Sequence, residues 1–219
     1  MKIQLMLIAA AAVLAPATAS AATTIQNGGF ELPIVGGSCC ITSPPTSIPF
    51  WSATDNVNVV NGTFASSPFP TNLAYEGKQY LDLIGEGLTG SISQTFNTVA
   101  GNLYRLTFAY SHNVFGGSPG ATASYTLGAL NGVISHTTGS DSNLDWQIFS
   151  STFVGTGSPM TLNFTNLTGQ NNAGILLDGV SVSAAPEPAT WGMMMLGFGF
   201  VGGAMRSARR RKLATVTFA

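Results

Sequence analysis

Alternating apolar and polar residues mark the middle of the chain. Over residues 104–110 the aromatic and aliphatic side chains occupy every second position, and Arg105 and Thr107 lie between them. Successive side chains of a β-strand point to opposite faces, so this pattern predicts a central strand with one buried face.

Similar short runs recur through the body and are separated by Gly, Asn, Asp or Pro. They cover residues 56–60, 79–83, 91–96, 123–130, 133–137, 147–153, 160–166 and 174–183. No helical spacing of apolar residues accompanies them. One sheet of so many strands would leave apolar faces exposed, which favours two sheets packed face to face. We therefore expect an all-β fold, a jelly-roll sandwich over residues 22–184.

The N-terminus has the pattern of a secretory signal peptide. Lys2 is followed by an apolar centre at residues 5–14 and by the small residues Ala19, Ser20 and Ala21. This order predicts a signal peptide over residues 1–21, with cleavage after Ala21 or Ala22. An uncleaved membrane helix is the alternative, which the short run ending at Pro16 disfavours.

The C-terminus combines two prolines, an apolar run and a basic cluster. Pro186, Glu187 and Pro188 precede residues 189–205, and Arg206, Arg209, Arg210, Arg211 and Lys212 follow. An apolar run of this length is near the lower limit for crossing a bilayer, and a basic cluster resists translocation. We expect a single transmembrane helix with the body outside the cytoplasm. An ordinary membrane anchor or a buried helix is the alternative.

This C-terminal segment resembles the sorting signal of bacterial PEP-CTERM proteins. The motif residues are Pro186, Glu187 and Pro188, with the cluster Arg209, Arg210 and Arg211 after the apolar run. The resemblance, over residues 185–212, implies processing by a membrane transpeptidase called exosortase. It also implies delivery to the cell surface or the extracellular matrix of a bacterium that secretes exopolysaccharide.

Charge excludes one class of partner. Without its two ends the chain keeps two of eight Lys and Arg residues and eight of nine Asp and Glu residues, a net charge of −6. Nucleic-acid binding depends on Lys and Arg at the phosphates. We therefore expect no nucleic-acid partner.

Two strips at opposite ends of the body resemble the opening and closing strands of galactose-binding-like jelly rolls. They are residues 27–31, with the sequence NGGFE, and residues 175–182, with the sequence ILLDGVSV. Trp51, residues 79–83 and residues 93–96 follow a similar order. This class includes carbohydrate-binding modules and a plant cell-wall family, so the resemblance implies polysaccharide binding.

Related modules often hold a structural ion between these strips. Their pairing would bring Glu31 near Asp178 on a body with two cations, and calcium prefers oxygen ligands. We therefore expect a possible structural calcium site at Glu31 and Asp178. The alternative is that Glu31 accepts hydrogen bonds from turn amides while Asp178 faces solvent or caps a bend.

Aromatic side chains are the candidates for ligand contact, because sugar rings stack on aromatic faces. They are Trp51, Tyr75, Tyr80 and Trp146. Either tryptophan could equally belong to the core.

Catalysis has little support in the sequence, and we expect a protein that is not an enzyme. His112 and His136 lack a nucleophile motif or a metal-ligand spacing around them, which favours surface or strand-end histidines. The acidic pairs Asp82 with Glu86 and Asp141 with Asp145 would need a cleft to act on a glycosidic bond.

The adjacent residues Cys39 and Cys40 lie in a segment, 36–49, that reads as a loop. Unspecific surface cysteines are expected first; a bridge between neighbours, a bridge between chains and a soft-metal site are the alternatives.

Together these features predict an exported, non-catalytic surface or matrix protein that binds polysaccharide. The alternatives are a structural matrix or adhesion protein without a sugar site and, ranked below it, a glycan-active hydrolase.

Overall fold

The computed structural model describes residues 25–36, 39–43, 47–54, 56–63, 72–85, 87, 89–115, 117–170, 172–185 and 188–212. The expected signal peptide, residues 1–21, lies outside the described residues. The same holds for Glu86 and for Pro186 and Glu187 of the sorting motif.

The described part of the body contains eleven strands, and one helix follows it. These are β1 (Cys40–Ser43), β2 (Ser52–Thr54), β3 (Val57–Asn61), β4 (Gln79–Asp82), β5 (Ser91–Phe96), β6 (Leu103–His112), β7 (Ala121–Leu127), β8 (Leu130–His136), β9 (Gln147–Val154), β10 (Met160–Thr168), β11 (Ile175–Ala184) and α1 (Pro188–Lys212). The strands form two sheets, with the orders β1-β3-β4-β11-β6-β9 and β2-β5-β10-β7-β8. The pairings within both sheets are antiparallel. The expected all-β sandwich of two sheets is confirmed.

Strand β6 occupies the position that its alternation predicts, between β11 and β9. Leu106 and Phe108 point into the space between the sheets and are almost fully buried. Phe108 contacts the ring of Phe164 from the other sheet at a centroid distance of 4.9 Å, in an edge-to-face arrangement. Such contacts between the inner faces build the main core, which hydrophobic burial stabilises.

Two strands were not expected from the sequence. Strand β1 lies within the segment that reads as a loop, and it pairs with β3 at the edge of the six-stranded sheet. Strand β2 is a three-residue edge strand that pairs with β5. Both are short strands at sheet edges, where the pairing partner rather than an apolar pattern decides the conformation.

The expectation of unspecific surface cysteines was wrong. Cys39 and Cys40 form a disulfide bond with each other at the start of β1. In the described residues no cysteine is free. Cys39 lies directly before this edge strand, and Cys40 also packs against apolar side chains of the sheet.

The segment 25–36 lacks a strand but is held against the sandwich by buried amides. Gln94 exchanges two side-chain hydrogen bonds with the backbone of Gln26, at 2.7 and 2.8 Å. The carbonyl of Gly28 accepts a hydrogen bond from Val180 N at 3.0 Å. A Cβ atom on Gly28 would lie 1.9 Å from the Val180 carbonyl oxygen, so this close approach requires glycine. The opening and closing strips therefore meet, as their resemblance implied.

Candidate functional site

The six-stranded sheet carries a second, smaller apolar cluster on its outer face. We call it the outer cluster; it consists of Val60, Leu73, Tyr80, Leu144 and Leu176, with Cys40, Ala74, Val114 and Trp146 packed against it. The loops 72–78 and 137–146 supply part of it. They cover one region of the sheet face and leave the region toward the Ala184 end of β11 open.

Two carboxylates hold the loop 72–78 in place. One oxygen of Asp178 accepts hydrogen bonds from the backbone N–H groups of residues 75 and 76, at 2.9 and 3.1 Å. One oxygen of Glu31 accepts from the N–H groups of residues 78 and 79, at 2.7 and 3.0 Å. The loop is thus bound at its middle and at its C-terminal end through its own amides, which positions Tyr75 over the sheet.

Asp178 lies at a bulge in β11, where the pairing with β6 shifts between Asp178 and Ser181. Its carboxylate is completely buried. Burial raises the pKa of Asp178 to about 8, the amides of residues 76, 179 and 75 lower it in part, and the charge of Glu76 raises it further. The bulge contains Gly179 at φ +57°, and a Cβ atom there would lie 3.2 Å from the Tyr75 ring. Glycine therefore lets the tyrosine lie close to the strand.

Three of the four expected aromatic residues come together on this face. Trp146 contacts Tyr75 at a centroid distance of 6.3 Å and Tyr80 at 5.8 Å, both in edge-to-face arrangements. The indole N–H of Trp146 donates to the carbonyl of Leu73 at 2.9 Å and joins the two loops. Tyr75 is 49% exposed and Trp146 is partly exposed, so both can touch a ligand.

Two of the expected ligand-binding residues are not accessible. Trp51 lies in the main core, 6% exposed, packs on Phe30 at 5.4 Å and donates its indole N–H to the Asn27 carbonyl. Tyr80 is 2% exposed because the outer cluster covers it, and burial followed by the charge of Asp82 raises its pKa. Both are packing residues. The sequence did not reveal this, because the segments that cover each ring could not be located from local sequence.

A polar floor lies on the open part of the sheet, beyond the bulge at Gly179 that the Tyr75 ring approaches. Thr107 and Ser181 lie on neighbouring strands and share a hydrogen bond of 2.7 Å between their hydroxyl groups. Exposed Arg105 donates to the Ser150 hydroxyl at 3.2 Å. We call Tyr75, Trp146 and this floor (Arg105, Thr107, Ser150, Ser181) the outer-face site. The alternation of residues 104–110 already placed Arg105 and Thr107 opposite the buried face, but the partner strands came only from the sheet order.

The donor set at Glu31 and Asp178 is a poor match for calcium. In both carboxylates the bonded oxygens already accept amide N–H groups, which supply the positive partner that a cation would supply. Among the described residues no group of three or more His, Cys, Asp or Glu side chains could hold a metal ion. The alternative given for Glu31, hydrogen bonding to turn amides, is what the structure contains. The calcium site stays a prediction.

The other acidic and histidine residues do not assemble a catalytic cleft. Asp82 is buried and accepts hydrogen bonds from the amides of residues 84 and 174 and from the Asn113 side chain. Burial raises the pKa of Asp82 to about 7, and these hydrogen bonds lower it in part. His112 and His136 are the last residues of β6 and β8, which confirms the strand-end alternative, and both are buried rather than on the surface.

A cavity of about 570 Å³ lies at the end of the sandwich where β6 and β8 finish. The loops 113–120 and 137–143 surround it. Its lining includes His112, Phe115, Ser118, Ser140 and Asp141. Phe115 is 40% exposed, which makes this cavity the competitor of the outer-face site for a ligand.

The expectation of a transmembrane helix is not supported. Helix α1 contains 25 residues. Within the described residues, however, no helix combines the length and apolarity that a membrane span needs. The mean hydropathy of residues 189–205 is lowered by five glycines, which contribute no apolar side chain. They are Gly192, Gly197, Gly199, Gly202 and Gly203.

Comparisons with known proteins agree with both predicted resemblances. A family model described as a protein of unknown function, DUF642, matches residues 23–183. The model of the PEP-CTERM protein-sorting motif matches residues 184–211. No curated protein matches the chain.

The sandwich is similar to solved structures at low sequence identity. The carbohydrate-binding module TmCBM61, in complex with β-1,4-galactotriose, is 14% identical over 75% of this chain and 100% of that one, with a TM-score of 0.51. A cyclase from Fischerella sp. TAU, in complex with 4-(1H-indol-3-yl)butan-2-one, is 17% identical over 76% of this chain and 98% of that one, with a TM-score of 0.53. These likenesses show the fold alone. One fold serves a sugar-binding module and a cyclase, so function must be argued from the site.

Proposed function

This chain belongs to the DUF642 family of proteins of unknown function, and we propose that its sandwich binds polysaccharide through the outer-face site. The observation that carries the proposal is the half-exposed ring of Tyr75, which contacts Trp146 and lies at the Gly179 bulge where the strand positions of the polar floor begin. Aromatic rings stack on the C–H faces of sugars, while hydroxyl and guanidinium groups pair with sugar hydroxyls. A fold shared with a galactotriose-binding module supports the same class of ligand.

The net charge of the body favours neutral or sparsely acidic polysaccharides as ligands. The body carries a net charge of −6. A densely anionic polysaccharide would be repelled by it, and Arg105 provides one cation at the site. We expect binding to neutral polymers to depend little on salt.

The test is binding to a panel of immobilised polysaccharides with matched aromatic variants. Tyr75→Ala should weaken binding by about tenfold or more, because about 1.4 kcal/mol of stacking energy is lost. Phe115→Ala removes a comparably exposed ring at the end cavity and should leave binding unchanged. Circular dichroism and thermal melting check that both variants fold.

The two variants also separate the alternatives. If Phe115→Ala abolishes binding and Tyr75→Ala does not, the ligand binds in the end cavity. If the wild-type protein binds no polysaccharide on the panel, the protein is better explained as a structural matrix or adhesion protein.

We also propose a non-catalytic role. The buried carboxylates Asp82 and Asp178 are engaged by backbone amides or by Asn113, which leaves them no free face toward a substrate. Release of reducing ends from a bound polysaccharide, lost on changing one carboxylate, would contradict this role and favour a hydrolase.

The sorting motif supports delivery to the cell surface or extracellular matrix with an exosortase as partner. Its basic cluster is Arg209, Arg210 and Arg211. Mass spectrometry of both termini of the protein recovered from fractionated cells tests this proposal. Loss of residues 1–21 and a new C-terminus near Pro186 are expected; an intact chain in the cytosol would contradict it.

A further inference from the structure

Two buried histidines face each other at the end of the sandwich. His112 is 3% exposed and His136 is 1% exposed. Their Nδ1 atoms are 2.8 Å apart, and the N–H direction of one ring points at the nitrogen of the other. The proposed ligand-binding role leaves this histidine pair unused.

The surrounding hydrogen bonds assign the protons. His136 Nε2 lies 2.8 Å from the carbonyl oxygen of Asp145 and must donate to it. The Thr138 hydroxyl donates to the Asp145 carboxylate at 2.5 Å and therefore has no proton to offer to the ring. With its proton on Nε2, neutral His136 accepts at Nδ1, and His112 donates from its own Nδ1.

Protonating both rings of this pair destroys its contact. A proton on His112 Nε2 alone leaves the Nδ1–H···Nδ1 hydrogen bond in place. A further proton on His136 Nδ1 would place two N–H groups against each other along a 2.8 Å line, with two like charges. Asp141 and Asp145 in the loop 137–146 are the acidic groups on this side, and Tyr110 packs its ring on His136. Burial, followed by the charge of His136, lowers the pKa of His112, whereas the backbone of Ser118 raises it in part.

The pair is connected directly to the outer-face site. The carbonyl that accepts from His136 belongs to the peptide bond between Asp145 and Trp146. The preceding carbonyl, that of Leu144, accepts from the buried Ser111 hydroxyl next to His112. Asp145 has φ +51°, a backbone conformation that costs free energy for a residue other than glycine. The hydrogen bonds of the Leu144 and Asp145 carbonyls stabilise it. The backbone leading into Trp146 therefore depends on the histidine pair.

We propose that His112 and His136 form an acid-sensitive latch that holds Trp146 in the outer-face site and releases it in mildly acidic solution. This inference extends the proposed function, but the latch can be tested without any sugar. A histidine whose pKa is lowered in the fold contributes stability that is present above its ordinary value, near pH 6.5, and is lost as the pH falls below it. The raised pKa values of Asp82 and Asp178 act in the opposite direction.

The experiment follows the indole N–H signal of Trp146 by NMR in the full chain, assigned by its loss in Trp146→Phe. Between pH 7.5 and pH 5.0 we expect its protection from solvent exchange to fall at least about tenfold more than that of Trp51. His112→Asn keeps a side-chain N–H donor at the Nδ1 position. Its amide can rotate to present oxygen when His136 is protonated, so this variant should lose the acid response. Asp141→Asn is the control for an exposed carboxylate of the same loop and should respond like the wild type.

Imidazole nitrogen shifts of the wild-type protein provide a second measurement that needs no variant. At pH 7.5 they should show one protonated and one unprotonated Nδ1. Equal protection of Trp146 at both pH values, an acid response in His112→Asn as large as in the wild type, or two unprotonated Nδ1 atoms would each overturn the proposal.

Discussion

The outer faces of the two sheets differ in what covers them. On the six-stranded sheet, loops 72–78 and 137–146 bury aliphatic and aromatic side chains together with the carboxylate of Asp178. On the five-stranded sheet the outward positions carry mainly small uncharged polar groups, with Val133 and the bulge residue Leu167 of β10 as apolar exceptions. The outward positions besides Leu167 are Ser52, Thr54, Ser91, Ser93, Thr95, Thr122, Ser124, Thr126, Asn131, Val133, Ser135, Thr161, Asn163 and Thr165.

The polar face satisfies many of its own hydrogen bonds across the strands. Thr95 bonds to Thr161 at 2.8 Å, and Thr122 bonds to Thr168 at 2.7 Å. Cross-strand hydroxyl pairs of this kind stabilise a sheet without needing a cover. The covered face instead depends on loops that must be held in place, and those loops carry the exposed aromatic ring. The face that needs loops to cover it is therefore also the face on which we propose that a ligand binds.

The largest expected effect comes from the apolar cover. Leu176 is completely buried under the loops, and Leu176→Ala should lower the free energy of unfolding by about 2–5 kcal/mol through lost burial and a residual cavity. Leu167→Ala removes the same atoms from a side chain that is 49% exposed and should change it by less than about 0.5 kcal/mol. Urea unfolding measures both. Equal effects would mean that the cover contributes little to stability.

A smaller loss is expected from the carboxylate beneath the loop. In Asp178→Asn an amide NH₂ presents two hydrogens to the surrounding backbone N–H donors, where the carboxyl group that is protonated at pH 7 presents one, so stability should fall by about 1–3 kcal/mol. Binding should weaken as well, because Tyr75 loses the contact that positions its loop. Asp141→Asn, on an exposed side chain, is the matched control. Unchanged stability and binding in Asp178→Asn would show that the position of the loop does not depend on this residue.

The pH dependence of stability also distinguishes the wild-type protein from Asp178→Asn. The folded pKa of Asp178, about 8, lies above that of an exposed carboxyl group, so the native state holds a proton that the unfolded chain releases. Its contribution to stability is fully present below the ordinary carboxyl pKa of 3.8, falls as the pH rises above that value, and is lost once the pH has passed through about 8. From pH 7 to pH 9 the wild-type protein should therefore lose more stability than Asp178→Asn. A parallel decline in both proteins would show that another group titrates.

Calcium offers a further test of the covered side. If an ion bound Glu31 and Asp178, added calcium would raise the melting temperature and a chelator would reverse the rise. Because amides already bond to these carboxylates, we expect a change of less than about 1 °C. A larger rise in the melting temperature would support the calcium prediction.

The smallest effect is expected on the bare face. Thr126 is exposed and its replacement by Ala should change the free energy of unfolding by less than about 0.5 kcal/mol and leave polysaccharide binding unchanged. A loss of binding in this variant would move the ligand site to the five-stranded sheet and reverse the comparison.

The sequence by itself determined the fold class, the central strand and the sorting motif. Alternation along residues 104–110 predicts which face is buried because side chains of a strand alternate, and the basic cluster after Pro-Glu-Pro is a local signal. Only the tertiary structure decided that Trp51 is buried in the main core and that Trp146 is partly exposed beside Tyr75, since the residues that contact each ring are distant in the sequence. It alone joined Asp178 to residues 75–76 and paired His112 with His136. Those contacts follow from the order of strands across the sheets, which local sequence does not encode.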